Sequence, residues 1–365
     1  MPKKILIIFW GHPLFDGRCM NMMNQFVAQK YEVNILGVGT KSEIINHQNV
    51  TIELLDKHTL KNSLTKYFKY FKYVKNYINS RNIDVIIASD LYSMIPCVQL
   101  KLKHSAKILY DSRELYTQLG GLINKPFIQK IWAWYEKKYI LKTDCILVTA
   151  DIDKDYLKNL YHHPNIKIVK NLPGACFLNN QIISLKQNLC LNKDVQIFLY
   201  QGKFHEGRGI RFSMKCINKI PQAVLVLIGD GPMKNKYIKE ANKYNMIDRL
   251  FFIDAVPYEQ LAPFSADAFI GLSIIQPISK SYEHALPNKL FEYAVSGLPV
   301  ICSNLKAMEE MINQYNNGIA IQFDSEEEFK KAYEKIVKNY NQYVLDLKLK
   351  EQLLWENNTG ELINE

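Results

Sequence analysis

Short runs rich in Val, Ile and Leu alternate along this chain with longer amphipathic segments. Ile5–Trp10, Glu32–Gly37, Val50–Leu54, Val85–Ser89, Lys107–Asp111 and Cys145–Thr149 form one group of candidate strands. Gln196–Gln201, Ala223–Gly229, Leu250–Ile253, Ala268–Leu272 and Pro299–Cys302 form a second. Several are apolar almost throughout rather than alternating, the pattern of strands buried on both faces of a parallel sheet. Helical segments between them predict repeated βα units and an α/β fold with two doubly wound sheets. The polar stretch Asn179–Lys193 has no strong apolar period and separates the groups. It predicts one domain over 1–180 and another over 181–340. Ser325, with Glu328 three residues on, predicts a capped helix start, and 341–365 reads as a helix-prone tail that ends polar.

A chain of 365 residues, 48% of them hydrophobic, can build two cores and is poorly suited to global disorder. Seven scattered cysteines without a CxxC pair fit a reducing compartment and give no zinc signature. The apolar run Ile5–Trp10 is too short for a signal-peptide core or a membrane span, so the expectation is a cytoplasmic protein. A net charge of +10 favours anionic partners: nucleic acid, an acidic membrane surface or phosphorylated ligands. Leu64–Arg81 concentrates that charge. Leu64, Phe68, Phe71, Val74 and Ile78 follow helical spacing and are expected to face the core, with lysines and tyrosines covering the rest. Such a helix suits peripheral contact with anionic headgroups on the inner face of a membrane. No nucleic-acid-binding motif accompanies it, and no nucleic-acid partner is expected.

Candidate chemistry gathers at the carboxyl ends of predicted strands, where doubly wound sheets bind ligands. After the first strand, Gly11 and Gly17 bracket a turn with His12 and Arg18 as ligand-facing groups. Asp111, Arg113 and Glu114 end another strand, and three charges there are hard to explain as core. Gly202-Lys203-Phe204-His205-Glu206-Gly207-Arg208-Gly209 sets two cations in a glycine turn, where the backbone can approach a phosphate and both charges can neutralise it. Asn288–Ser296 reads as a helix introduced by Pro287 and ended by Gly297. Its unpaired N–H groups, its positive dipole end and Lys289 make a phosphate receptor, and Glu292 is one turn away for sugar hydroxyls. Asp151 and Asp153 read as acidic residues favoured at a helix start rather than as metal ligands.

The string Pro287-Asn288-Lys289-Leu290-Phe291-Glu292-Tyr293 resembles the donor-binding signature of the GT-B glycosyltransferases, in particular the retaining family-4-like group. The Lys203/Arg208 turn is similar to that family's Gly-Arg-x4-Lys-Gly segment with the cations exchanged. Gly229-Asp230-Gly231-Pro232 matches its Gly-x-Gly-Pro turn. Asp111–Glu114 looks like its Asp-x-His-Glu region, with Arg113 where many relatives carry His; an arginine stays protonated and is no base. In the family's paired-glutamate pattern Glu292 is the second member, the first falls on His284, and Glu283 is adjacent.

The resemblance spans nearly the whole chain and implies a GT-B fold, two Rossmann-like domains facing across a cleft, with the tail crossing back to the N-terminal domain. It implies Lys203, Arg208, Glu292 and Glu114 as catalytic groups. The nucleotide-diphosphate sugar donor would meet Gly202, Gly229, Gly231, Glu283, His284, Asn288, Lys289 and Leu290. A glycan or lipid-linked acceptor would meet Gly11, His12, Gly17, Arg18, Asp111 and Arg113. No cofactor or metal is expected, because two cations and a helix N-terminus can stabilise the leaving diphosphate. The implied activity is retaining sugar transfer in bacterial surface polysaccharide assembly. The alternatives are a hydrolysing sugar-nucleotide 2-epimerase and a catalytically inactive sugar-nucleotide-binding subunit.

Overall fold

The computed structural model describes residues 2–47, 49–60, 65–100, 105–178, 183–358, 360 and 362. The chain divides into two compact units, Met1–Lys170 and Asn171–Glu365. The described part of the stretch read as a linker belongs to the second unit: Leu185 is buried, and its N–H donates to Asp267 at 2.6 Å. Residues 179–182 of that stretch lie outside the described residues.

In the first unit the strands are β1 (Lys4–Ile8), β2 (Glu32–Gly39), β3 (Glu43–His47), β4 (Val50–Asp56), β5 (Val85–Ala88), β6 (Lys107–Ser112), β7 (Cys145–Val148) and β8 (Ile166–Ile168). They form one sheet in the order β3-β4-β2-β1-β5-β6-β7-β8, parallel except that β3 runs antiparallel to β4. The order in which strands are added reverses between β1 and β5. The loops leaving those two strands therefore part to leave a crevice at the carboxyl edge. Helices α1 (Gly17–Ala28), α2 (Lys66–Asn79), α3 (Leu91–Leu100), α4 (Pro126–Ile140) and α5 (Asp151–Tyr161) accompany this sheet.

The second unit holds β9 (Gln196–Gln201), β10 (Ala223–Ile228), β11 (Leu250–Ile253), β12 (Ile270–Ser273), β13 (Val300–Ser303) and β14 (Gly318–Ile321). All are parallel, in the order β11-β10-β9-β12-β13-β14. The switch point lies between β9 and β12, which puts the Gly202–Gly209 turn at the crevice. The tail belongs to this unit: Trp355 is buried, and its N–H donates to the Pro173 carbonyl at 2.8 Å. Ser325 caps the helix Glu326–Lys338, accepting from the Glu328 N–H.

The eleven expected strands are all present. The structure adds β3, β8 and β14, and each of these is an edge strand. An edge strand is packed on fewer sides, so its sequence need not show the continuous apolar run of a central one.

Helix α2 corrects the expected face. Its buried residues are Tyr70, Val74, Tyr77 and Ile78, whereas Phe68 is 73% exposed and Phe71 only partly buried. Tyr70 goes inward because its hydroxyl finds Ser93 at 2.9 Å, so a buried tyrosine there leaves no polar group unsatisfied. Leu64 lies outside the described residues.

Candidate functional site

In the second unit, two glycine turns are zipped together at the carboxyl edge. The Gly202 N–H donates to the Ile228 carbonyl and the Phe204 N–H to the Asp230 carbonyl, both at 2.9 Å. A Cβ on Gly229 would sit 2.1 Å from the Gly202 carbonyl oxygen, and one on Gly231 2.5 Å from that of Phe204. Gly229 also has φ +141°, so side chains are barred there twice over. The glycines let the loops after β9 and β10 touch, which fixes the floor of the site.

The helix Asn288–Ser296 begins beside that floor. Its N-cap is Pro287, which has no side chain to offer its first N–H groups, and Gly297 ends it at φ +76°. Lys289, in its first turn, is 8% exposed. Its Nζ lies 3.5 Å from the centroid of the Tyr200 ring and 3.5 Å from where a Gly202 Cβ would be. Among the described residues nothing accepts a hydrogen bond from this Nζ. Burial pushes its pKa well below the usual lysine range and the nearby Arg208 pushes it further, against the weaker opposite pull of Glu292. A buried amine with only an aromatic face beneath it, next to a second cation, is a site built for an anion.

Arg208 is partly buried, its guanidinium 4.5 Å above the Tyr282 ring. Lys203 is exposed on the same turn, and its backbone carbonyl accepts from the Tyr200 hydroxyl at 2.8 Å. Glu292 is 5% exposed and accepts from the Gln201 amide, whose oxygen accepts from Ser265 at 2.9 Å. This chain fixes the carboxylate's orientation from behind. His284 is buried at the end of the short helix Lys280–Glu283. Glu283 is exposed and pairs with Lys280 at 3.1 Å, since a free carboxylate on a surface turn takes the nearest cation. Asn288 stands at the helix start, half-buried. Leu290 is core: fully buried, with its N–H donating to the Pro287 carbonyl. The structure therefore gathers Gly202, Gly229, Gly231, Lys289, Arg208 and Glu292 on one edge. Sequence reasoning missed Tyr200, Tyr282, Gln201 and Ser265, which hold that set in place. Tyr200 and Gln201 end the predicted strand directly before the Gly202–Gly209 turn, a visible signal; Ser265 had none.

In the first unit, Arg18 and Asp111 were expected to face a ligand, and the structure corrects this. Arg18 is 2% exposed and Asp111 fully buried. The Arg18 Nε lies 2.9 Å from both Asp111 oxygens, its Nη2 donates to Oδ1 at 2.6 Å, and its Nη1 donates to the Val169 carbonyl. Arg113 donates to Asp111 from Nε at 2.8 Å and to Asp16 from Nη1 at 2.6 Å. A guanidinium and carboxylate this deep must satisfy each other. Burial alone would raise the Asp111 pKa, but the two guanidiniums outweigh it and hold it below the usual carboxylate range. Asp16 also caps α1, accepting from the Cys19 N–H at 2.8 Å, so Gly17 opens that helix. The cluster thus ties the loop after β1 to the end of β6. Gly11 accepts from the Val38 N–H through its carbonyl, and the His12 ring meets Phe15 edge-on at 4.8 Å. Glu114 is exposed at the same edge.

Sequence reasoning also missed Asp90, buried at the end of β5, which accepts from the Trp10 and Ser93 N–H groups at 2.6 and 2.7 Å. Burial lifts its pKa to about 6, partly offset by those N–H groups. The folded pKa lies above the ordinary 3.8, so between the two values the folded chain keeps a proton that the unfolded chain has lost. Stability from this group therefore grows as pH falls from about 6 towards 4. Wild type is expected to gain up to about 3 kcal/mol relative to Asp90→Asn over that interval. Urea unfolding of both proteins at several pH values checks this, and a pH-independent difference would contradict it.

Residues 181–352 match the family model described as glycosyl transferases group 1. The chain is similar to the lipopolysaccharide core biosynthesis glycosyltransferase LpsE of Rhizobium meliloti, 24% identical over 202 residues, covering 54% of this chain and 55% of that protein. The match thus spans about half the length of that relative. Among solved structures, sucrose-phosphate synthase from Thermosynechococcus elongatus superposes with a TM-score of 0.79 at 18% identity, covering 97% of this chain and 96% of that one. Anabaena Alr3699/HepE in complex with UDP-glucose superposes with a TM-score of 0.71 at 11% identity, over 97% and 96% of the two chains.

Proposed function

Because residues 181–352 belong to the glycosyl transferases group 1 family and the chain has the GT-B fold, we propose that the protein is a retaining glycosyltransferase. It moves a sugar from a nucleoside diphosphate donor to a glycan or lipid-linked acceptor in bacterial surface polysaccharide assembly. The observation that carries this reading is Lys289, buried and without an acceptor beside Arg208, at an open helix start. A diphosphate supplies the acceptor that the Lys289 amine lacks. Lys289, Arg208 and the first N–H groups of the helix hold the phosphate oxygens, and they bind more strongly as charge grows on the departing group. With that charge stabilisation supplied by the chain, transfer needs no metal ion. Glu292, oriented by Gln201, receives hydroxyls of the ribose or sugar. Retention follows if the acceptor attacks the face that the diphosphate leaves and a leaving phosphate oxygen takes its proton. A nucleotide-bound relative, HepE with UDP-glucose, makes a uridine donor the first to try. The LpsE relative supports a surface glycan as the product class.

A thermal-shift screen against UDP, GDP, ADP and CMP, with their sugar conjugates, tests the reading. One nucleoside diphosphate at about 100 times its Kd is expected to add about 2.7 kcal/mol, a rise of several degrees, with or without EDTA. No rise with any of them would contradict the assignment. Nucleotide release that needs an acceptor then separates transfer from hydrolysis or epimerisation.

A further inference from the structure

Helix α4 has two unlike faces. Trp132, Glu136, Tyr139 and Ile140 are buried on the sheet side. On the other side Phe127, Ile131 and Trp134 follow one another at one-turn spacing and are 75%, 40% and 56% exposed. Ile128 and Leu141, also exposed, widen the stripe. Exposed single apolar residues are ordinary, but a contiguous stripe of this kind marks a contact surface.

The charge around the stripe says what the contact is. Residues 119–142 hold five lysines and one carboxylate, Glu136. Glu136 is buried and accepts from the Tyr110 and Tyr161 hydroxyls, so the exposed face is uniformly basic. The Lys138 Nζ lies 4.6 Å from the centre of the Trp134 ring. Helix α2 comes close on the inward side of α4, where Tyr67 meets Trp132 edge-on at 4.7 Å; Phe68 is exposed on α2, and the α2 sequence contains lysines but no acid.

We propose that this face of α4 docks the first unit on an anionic lipid bilayer, with the helix lying in the interfacial plane. Aromatic and aliphatic side chains would enter the acyl boundary, while the lysines meet headgroup phosphates. A second copy of the chain fits worse, because a self-complementary contact would press lysines against lysines, and lysine is depleted in such interfaces. Among the described residues no helix is long and apolar enough to cross a membrane, so the mode is surface contact. The surface belongs wholly to the first unit and does not depend on the donor assignment. It relocates the apolar element of a membrane contact from α2, where the sequence pattern placed it, to α4.

Sedimentation of the full chain with vesicles tests this. Vesicles of phosphatidylglycerol mixed with phosphatidylcholine are expected to bind the protein at least tenfold more tightly than phosphatidylcholine alone. Combining Phe127→Ser, Ile131→Ser and Trp134→Ser should weaken that binding roughly tenfold or more with an unchanged melting temperature, since all three side chains are exposed. Brominated lipid should quench part of the wild-type tryptophan emission, and Trp134→Phe should lose that part while still binding. Wild-type protein that stays in the supernatant, or a triple variant that binds as well as wild type, would overturn the proposal. So would self-association of wild type that the triple substitution abolishes without any vesicle binding.

Discussion

Lys289→Met is expected to lower sugar transfer roughly 10²–10³-fold while raising stability by about 1–3 kcal/mol. The two effects have one cause. A lysine amine buried over Tyr200 costs free energy in the empty site, and methionine fills the same space without that cost. On the proposed function the same amine would be a buried counter-charge to the diphosphate, and losing it would remove stabilisation that is greatest in the transition state. Arg208→Ala should lose transfer by a comparable factor, because Arg208 belongs to the same cluster. Lys203→Ala should lose about tenfold at most, since Lys203 is exposed and its charge is screened. Steady-state transfer rates beside urea unfolding separate the two readouts. A Lys289→Met protein that is less stable and fully active would contradict the assignment.

Asp111→Ala is expected to destabilise the first unit by about 3–5 kcal/mol, the usual cost of stranding a buried ion-pair partner. Two guanidiniums depend on Asp111: it accepts from the Nε and Nη2 of Arg18 and from the Nε of Arg113. Binding of a nucleoside diphosphate by the second unit should be unaffected. The direction of the Asp111 shift adds a pH signature. Its folded pKa lies below the ordinary 3.8, so its contribution is complete above that value and is lost as pH falls through the folded pKa. Urea unfolding that leaves Asp111→Ala within about 1 kcal/mol of wild type would show that the cluster is solvated rather than closed.

The central strands were legible in the sequence because a strand buried on both faces must be apolar throughout, as in Ala223–Ile228. The helix Asn288–Ser296 was legible to the residue, since proline before it and glycine after it each have a physical reason to be there. Edge strands such as Ile166–Ile168 are not under that constraint and did not stand out. The site was legible in its residue types but not in their depth. Lys203 is exposed on its turn, whereas Lys289 is buried because tertiary packing sets its amine against the Tyr200 ring and Gly202, which spacing does not show. Arg18 and Asp111 were misread for the same reason. They are far apart in sequence, and only the sheet brings them within hydrogen-bonding distance. The inward face of α2 was misread at Tyr70, which is buried through a hydroxyl partner on α3 that spacing cannot reveal.

The central claim is that Lys289 and Arg208 form a receptor for a diphosphate, and calorimetric titration tests it most directly. UDP, GDP and ADP would be titrated in two buffers of different ionisation enthalpy at a series of pH values below the ordinary lysine pKa near 10.4, from which burial depresses that of Lys289. A bound diphosphate raises that pKa, so one of these nucleotides should bind with net proton uptake, and Lys289→Met should bind more weakly with that uptake gone. Binding by none of them, or binding by wild type and Lys289→Met alike with no proton exchange, would contradict the account.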